Sequence, residues 1–301
     1  MAEECPPRTA ASTADPRPRL SNMAKDFPTR SYAPRPRANE RKVAADTAWE
    51  RPAAWYDQLI GSGGDDFYRE LILPSVLARL SAKVGQRVLD VCCGQGVLGR
   101  VLAIEGLKTL GVDASPSLID AAKGRAGALE KHVVGDARDL AASLDQLPDK
   151  GICDHAALVM CLQDLDPITP VLRGVKAHVK PGGKIVIVMT HPCFRIPRHS
   201  SWGWDDAKDI QFRRLDGYMS EVQVPIKTHP GMPDDSSRTM SFHRPLSTYL
   251  SCLGDAGLAL ISCDELCSHR RGTKGIRYGA EDRAAREFPV FIVLTAEHRR
   301  D

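Results

Sequence analysis

Residues 87–102 read RVLDVCCGQGVLGRVL. The apolar run ends in Asp90, the chain turns through Gly94 and Gly96, and an amphipathic helix follows. Because neither glycine carries a side chain, a ligand can approach the backbone closely, and the helix that begins near Gln95 directs its free amides at that ligand. Open α/β sheets bind nucleotides with this arrangement. We therefore expect a pocket for an adenosine-containing cofactor.

The glycines of this turn fit two kinds of nucleotide site. Gly94, Gly96 and Gly99 also match the Gly-x-Gly-x-x-Gly pattern of dinucleotide-binding proteins, and Asp113 stands near the position of the ribose-binding acid. Asp90 separates the two interpretations. A carboxylate there disfavours a dianionic pyrophosphate, whereas a ligand with an ammonium and a sulfonium tolerates it. The sequence therefore disfavours an NAD-dependent oxidoreductase.

Acids end three successive predicted strands. Asp90 is the first, Asp113 follows an apolar run, and Asp136 follows the short run at 133–134. A carboxylate at Asp136 suits a hydrogen bond from an adenine amino group. Three acids at three successive strand ends are a much rarer pattern than the glycine turn by itself.

On these residues the chain resembles the class I S-adenosylmethionine-dependent methyltransferases of small-molecule type. The similarity continues through LGVDAS at 110–115 and KPGGKIVIV at 180–188, and covers roughly residues 55–297. It implies S-adenosyl-L-methionine as cofactor, held by Asp90, Gly94 and Gly96 in the loop, Asp113 with Ala114 at the ribose, Asp136 with Ala137 at the adenine, and Met160 with Cys161 at the methionine part. Cys92 stands where the family usually has glycine or alanine, and we expect a tighter turn there.

Strands and helices alternate along the rest of the chain. Strands are predicted at 86–92, 108–113, 131–135, 152–160 and 183–191, and helices at 95–106, 116–127 and 167–179. Such alternation predicts a doubly wound α/β fold with a mostly parallel sheet. A last helix at 245–256 and strands near 258–266 and 288–297, separated by a polar loop, complete seven strands. The resemblance implies the order 3-2-1-4-5-7-6, with the last strand antiparallel.

Three regions are predicted along the chain. Residues 1–42 are rich in proline and arginine and bury too little apolar surface to offset the entropy of ordering, so we expect a disordered tail. Residues 43–82 resemble the N-terminal lid helices of small-molecule methyltransferases, and the remainder, 83–301, is the methyltransferase domain. Tyr56 is the candidate lid contact, its hydroxyl reaching the methionine carboxylate. Packing of an aromatic stripe on the sheet is the alternative.

An insertion at 192–243, called here the roof insertion, is too long for an ordinary connection, and we expect it to cover the acceptor. Methyl transfer is an in-line displacement, so the protein contributes alignment and a proton acceptor. Histidine suits that role near neutral pH; His191 directly precedes the insertion, and His243 is its last residue. The alternative for His191 is a turn cap that bonds to the backbone.

Arginines and aromatic residues in and after the roof insertion leave the acceptor open. An anionic group would bind the planar forks of arginine side chains, although surface ion pairs explain the same residues: Arg195, Arg198, Arg244, Arg270 and Arg271. An aromatic or isoprenoid acceptor would lie between rings, although packing of the insertion explains those as well: Phe194, Trp202, Trp204 and Phe242.

Composition argues against a membrane-spanning protein, a secreted protein held together by disulfides, and a metal-binding protein. The chain of 301 residues is 43% hydrophobic with a formal charge of +3, and no apolar run approaches the length of a membrane span. Nine scattered cysteines fit free thiols in a reducing cytoplasm, and Cys263, Cys267 and His269 are too sparse for a metal site.

The sequence thus predicts a cytoplasmic methyltransferase that acts on oxygen, nitrogen or carbon of a small organic acceptor. An RNA or protein methyltransferase is one alternative, and would show a basic groove or an added recognition domain. A non-catalytic S-adenosylmethionine-binding module is another, and would keep the three acids without needing His191.

Overall fold

The computed structural model describes residues 49–300 apart from 62, 146, 228–237 and 273. The predicted tail at 1–42 and the first part of the predicted lid segment, 43–48, lie outside the described residues. The described chain forms a seven-stranded sheet and two separate two-stranded hairpins. Helices connect the strands of the large sheet.

The strands form from short apolar runs rich in β-branched residues, bounded by glycine or polar turns. In chain order they are β1 Arg87–Val91, β2 Lys108–Asp113, β3 Glu130–Val134, β4 His155–Val159, β5 Lys184–Thr190, β6 Ser200–Asp205, β7 Ile210–Leu215, β8 Val222–Lys227, β9 Arg238–His243, β10 Ala259–Leu266 and β11 Phe291–Glu297.

The large sheet has the order β3-β2-β1-β4-β5-β11-β10. Neighbours from β3 to β5 are parallel, and β11 runs antiparallel to both β5 and β10. This confirms the predicted order and the antiparallel last strand. The carboxyl ends of β1, β2, β3, β4 and β5 therefore meet at one edge, which is where ligands bind in sheets of this kind.

Helices cover both faces of this sheet. They are α1 Ala53–Ile60, α2 Leu73–Leu80, α3 Val97–Ile104, α4 Pro116–Arg125, α5 Leu140–Leu144, α6 Ile168–Ala177, α7 Leu246–Asp255 and α8 Tyr278–Glu287, with a π-helical turn at Tyr68–Ile72 and 3₁₀ turns at Ala137–Asp139 and Leu162–Asp164. One core cluster joins α5, α6 and α7 to the sheet, and a second joins α2 and α3 to the opposite face. Alternate residues of each central strand supply the two clusters.

The elements that the sequence did not predict include α5, α8 and the hairpins of the roof insertion. The polar loop between β10 and β11 holds α8, whose buried positions are Ala280, Asp282 and Ala284. Small and charged buried residues leave no apolar stripe, so hydrophobic periodicity gives no signal there. The roof insertion forms two antiparallel hairpins, β6 with β7 and β8 with β9.

Candidate active site

A cavity of about 960 Å³ lies at the carboxyl edge of the sheet. Its wall contains all of the predicted cofactor residues except Gly96: Tyr56, Asp90, Cys92, Gly94, Asp113, Ala114, Asp136, Ala137, Met160 and Cys161. We call this part of the cavity the cofactor end. The rest of the wall, called the roof end, includes residues of the roof insertion: Arg195, Ile196, Pro197, Arg198, Ser200, Trp202, Arg213 and Ser241.

The glycine turn adopts backbone conformations that favour glycine. Gly94 and Gly96 have φ of 53° and 82°, in the left-handed region. A Cβ atom on Gly96 would lie 3.1 Å from His132 and 3.2 Å from Ala122. Cys92 has φ of 58°, so a residue with a side chain adopts the left-handed conformation in this turn.

Replacing Gly96 by alanine should therefore destabilise the fold. A left-handed non-glycine residue costs roughly 1–2 kcal/mol, and the contacts with His132 and Ala122 add to it. We expect a melting temperature lower by about 4–8 °C. Gly124→Ala in α4 is the matched control, since its Cβ would meet nothing within 4 Å, and it should hold or raise the melting temperature. Equal melting curves for the two variants would contradict the requirement for glycine at position 96.

Asp113, at the end of β2, connects the glycine turn to the start of α4. Its Oδ2 accepts a hydrogen bond from the Gly94 amide at 2.9 Å, and its Oδ1 accepts one from the Ser115 amide at 2.9 Å. Burial raises the pKa of this carboxyl, and the two amides oppose the rise. Asp113 lines the cavity, and a carboxylate oxygen can accept more than one hydrogen bond, which suits a ligand's hydroxyl groups.

Asp90 is a buried acid without a partner. The side chain is only 2% exposed, and Oδ2 has no hydrogen-bond partner among the described residues. Desolvation, with the charge of Asp113, raises the pKa of Asp90 to about 8. A buried carboxylate of this kind is stabilised by a cationic ligand group. The cofactor end therefore fits the ammonium of S-adenosylmethionine better than a pyrophosphate.

Asp136 is held at the cavity wall by the side chain of Arg138. The guanidinium Nε lies 3.0 Å from both carboxylate oxygens, and Nη2 lies 2.6 Å from Oδ2. This contact holds the pKa of Asp136 below its usual value. Asp136 also caps the 3₁₀ turn that presents Ala137 to the cavity.

Met160 and Cys161 follow β4 in an irregular turn. Met160 has φ of 57°, and the Cys161 thiol lies 3.5 Å from the Val91 carbonyl, between the ends of β4 and β1. Both residues thus lie beside the glycine turn. A hydrogen bond between the thiols of Cys161 and Cys92, together with burial, raises the pKa of Cys92.

Tyr56 on α1 lies over the glycine turn. Its ring would be 3.5 Å from a Cβ atom on Gly94, and its hydroxyl is hydrogen-bonded to that of Tyr68. Burial raises the pKa of Tyr56 to about 12, so the hydroxyl keeps its proton and can donate to an anionic ligand group. The ring also packs 5.1 Å from Trp49. Tyr56 therefore both lines the cavity and packs against Trp49.

Polar contacts attach α1 to the cofactor end. Arg125 on α4 forms a two-pronged ion pair with Asp57 at 2.6 and 2.7 Å and also bonds to Gln95 in the glycine turn at 2.8 Å. The Gln95 amide in turn donates to the carbonyl of Gly61. The lid segment is thus joined to the loop that it covers.

His191, the first predicted proton acceptor, does not line the cavity. It is 1% exposed; Nδ1 accepts from the Cys193 amide at 3.2 Å and Nε2 donates to Glu265 at 2.7 Å. With both ring nitrogens engaged, this geometry is that of the turn cap. Burial lowers the pKa of His191. His243 is likewise buried outside the cavity wall and bonds through Nε2 to the Tyr218 carbonyl at 2.8 Å.

Asp164, which the sequence did not single out, lies in the cavity wall between the two ends. It closes the 3₁₀ turn after β4, its side chain is hydrogen-bonded to Ser241 of the roof insertion, and its charge acts on the Tyr56 hydroxyl. Burial raises the pKa of Asp164 to about 7. No local motif indicates this residue, because its burial comes from β9, which is distant in the sequence.

The described residues contain neither a cluster of metal ligands nor a membrane-spanning helix. Within 49–300, gaps excepted, no three histidine, cysteine or acidic side chains come together as a metal site, and the described cysteines are free thiols. His269 instead bonds to Asp66 at 2.8 Å. None of the helices in the described part of the chain combines the length and apolar character needed to span a bilayer.

A family model described as a methyltransferase domain matches residues 66–262. The 2-phytyl-1,4-naphtoquinone methyltransferase of Synechococcus elongatus is 38% identical over 119 residues, which are 37% of this chain and 48% of that protein. The ubiquinone biosynthesis O-methyltransferase of Coxiella burnetii is 34% identical over 104 residues, which are 34% of this chain and 42% of that protein. The chain spans about half the length of the curated relatives it matches.

Solved structures share the fold. An S-adenosylmethionine-dependent methyltransferase from Mesorhizobium loti superposes with a TM-score of 0.57 at 24% identity, covering 74% of this chain and 96% of that one. Phosphoethanolamine N-methyltransferase 2 from Haemonchus contortus, in complex with S-adenosyl-L-methionine, gives 0.52 at 16% identity, over 83% and 57% of the chains. The matched domain and the strand order both indicate the methyltransferase fold, and the acids of the cofactor end suit its cofactor. The chain belongs to the methyltransferase-domain family and shares the fold of solved S-adenosylmethionine-dependent methyltransferases.

Proposed function

We propose that this protein transfers the methyl group of S-adenosylmethionine to an oxygen, nitrogen or carbon atom of a small organic acceptor bound under the roof insertion. One observation carries the proposal: a single cavity extends from Asp90 and Asp113 at the cofactor end to Arg195 and Trp202 at the roof end. A site for the cofactor and space for a second molecule thus share one enclosure.

The residues of the cofactor end suit the parts of the cofactor in turn. Asp90 would balance the ammonium, Tyr56 would donate to the carboxylate, and Asp113 would accept from the ribose hydroxyls. Asp136 with Ala137 would contact the adenine. When bound, S-adenosylmethionine supplies an electrophilic methyl group on a sulfonium sulfur. The chain contributes walls that exclude water and hold the acceptor in line.

Asp164 is the residue best placed to take a proton from the acceptor. It lines the cavity between the cofactor and roof ends, whereas His191 and His243 lie outside the wall. A hydrogen bond from Ser241 holds the Asp164 side chain. The raised pKa of Asp164 is suited to general base catalysis near neutral pH. His191 would then position the turn after β5 through Cys193 and Glu265.

The names of the relatives support a small acceptor. The two curated relatives described above are named for a naphthoquinone and for ubiquinone biosynthesis. Their similarity covers about half of each protein, so it supports the class of acceptor and leaves the compound to experiment.

The test begins with calorimetric titration of the full chain with S-adenosylmethionine, S-adenosylhomocysteine and NADH. We expect micromolar binding of the two adenosyl ligands and none of NADH. Cofactor labelled in its methyl group is then incubated with cell extract divided into small-molecule, RNA and protein fractions. Label in the small-molecule fraction supports the proposal, and label in RNA or protein contradicts it. Binding without transfer to any fraction would indicate a non-catalytic module.

Cofactor affinity should depend on pH through Asp90. The free carboxyl has a pKa of about 8, and the cationic ligand requires its ionised form, so binding releases a proton below that pH. Affinity should rise with pH from 6 to 8 by up to about tenfold per unit and level off above 8. Titrations in buffers of different ionisation enthalpy would measure the released proton. In Asp90→Asn the pH dependence should vanish, and its survival there would assign it to another group.

A further inference from the structure

The roof end of the cavity carries positive charge that no described acid balances. Arg195, Arg198 and Arg213 line the wall, and none of them forms an ion pair with a carboxylate in the described parts of the chain. Arg198 bonds instead to the Pro225 carbonyl at 2.8 Å. Unpaired guanidinium groups in an enclosed site are unusual, because desolvated charges are normally compensated.

The other arginines near this region are paired. Arg244 contacts Asp166 at 2.7 Å, Arg270 contacts Asp66 at 2.9 Å, and Arg271 contacts Asp282 at 3.2 Å. Of the five arginines that the sequence offered as anion ligands, these three are therefore structural. Arg195 and Arg198 are left facing the cavity, joined by Arg213.

Arg213 is fixed in place before any ligand binds. Its Nε donates to the Phe194 carbonyl at 2.9 Å, its Nη2 donates to the Ser200 hydroxyl at 2.7 Å, and the guanidinium lies 5.1 Å from the centre of the Trp202 ring. These contacts engage neutral groups and leave the positive charge uncompensated. A pre-oriented fork binds an anion with little further loss of entropy.

Arg195 lies close enough to act on Arg213 electrostatically. Burial lowers the pKa of Arg195, and burial together with the charge of Arg195 lowers the pKa of Arg213. Two partly desolvated like charges in the wall of one cavity repel each other. An anion between them would relieve both the repulsion and the desolvation.

We propose that the methyl acceptor carries an oxyanion group, a carboxylate or a phosphate ester, that binds between Arg195 and Arg213 beside Trp202. The inference rests on the proposed function, since it assigns the acceptor class of the same cavity. The cofactor would occupy the end with Asp90 and Asp113, whereas Arg195 and Arg213 lie at the roof end, so an anionic group is attracted to the roof end. The charge distribution thus points the acceptor's neutral, reactive part toward the cofactor.

The test uses the full chain saturated with S-adenosylhomocysteine, which fills the cofactor end and prevents turnover. Benzoate, phenyl phosphate and the uncharged benzamide are titrated at neutral pH and followed by ligand-observed NMR. We expect at least one of the two anions to bind about tenfold or more tightly than benzamide, as charge-assisted hydrogen bonds require. The stronger of the two distinguishes a carboxylate site from a phosphate site.

Variants identify the groups responsible. Arg195→Gln and Arg213→Gln should each remove most of the preference for the anion, while Arg271→Gln, exposed and paired outside the cavity, should keep it. Arg195→Gln is the safer variant, because its guanidinium has no partner in the described chain and its loss should leave the fold intact.

Equal binding of anions and benzamide, or a preference that survives in both cavity variants, overturns the inference. No binding of either anion up to about 20 mM also overturns it, since a selective arginine pair should bind below that range. Failure of the proposed function is distinguishable: it shows as absent S-adenosylhomocysteine binding before any anion is added.

Discussion

Asp113→Ala should weaken binding of S-adenosylmethionine about a hundredfold or more. The carboxylate lies at the end of β2 in the cavity wall, and its free lone pairs suit two ribose hydroxyls. Loss of two charge-assisted hydrogen bonds at about 1.5 kcal/mol each gives a change of that size. Calorimetric titration of wild type and variant with S-adenosylhomocysteine measures it without turnover.

Two controls keep this result interpretable. Asp120→Ala removes an exposed carboxylate from α4, the helix that follows Asp113, and should leave the affinity for the cofactor unchanged. Because Asp113 also accepts the amides of Gly94 and Ser115, Asp113→Asn retains an acceptor oxygen for one of the two amides, and it should bind weakly while losing less stability than Asp113→Ala. Wild-type affinity in a folded Asp113→Ala would remove this residue from the cofactor site.

Asp164→Asn should lower kcat by about a hundredfold or more while changing KM little. The variant keeps the shape of the side chain and its contact with Ser241 but loses the proton acceptor, and general base catalysis contributes roughly 10²–10⁴-fold. The rate is measured on the acceptor found with labelled cofactor. Asp255→Asn, at the exposed end of α7, is the control and should leave kcat unchanged.

The pH profile distinguishes a base from a residue that merely packs. Since the ionised form of Asp164 accepts the proton and its pKa is about 7, wild-type kcat should rise as pH increases through 7 and then level off. That limb should be absent in Asp164→Asn. His191→Gln should retain it and most of the rate. A large loss of kcat in His191→Gln with a normal Asp164→Asn would return the role to the histidine.

The local pattern predicts the fold and the cofactor end well, because the information for both is continuous in the chain. Asp90 lies near the end of β1, Asp113 is the last residue of β2 and Asp136 follows shortly after β3, and parallel strands bring their carboxyl ends to one edge. Hydrophobic periodicity and glycine turns thus predict which residues of the cofactor end lie together. The same logic fails for α8, whose buried face consists of small and charged residues.

The acceptor end is decided by contacts between residues far apart in the chain. Glu265 on β10 takes the second nitrogen of His191, and Ser241 on β9 buries Asp164 beside the cavity. Neither contact has a spacing or motif in the sequence, so the sequence favours histidine as the base and does not indicate the aspartate.

By itself, the sequence determined the doubly wound, mostly parallel sheet and the acids at three of its strand ends, because these follow from local periodicity and strand direction. The order of the strands was implied by the family resemblance. Only the tertiary structure decided which charged groups are balanced. It pairs Arg244 with Asp166 and Asp136 with Arg138, and it leaves Arg195 to face the cavity. Whether two charges compensate each other depends on their distance in space. The free energy of that interaction depends on how far the folded chain, including hairpins distant in sequence, buries the two groups.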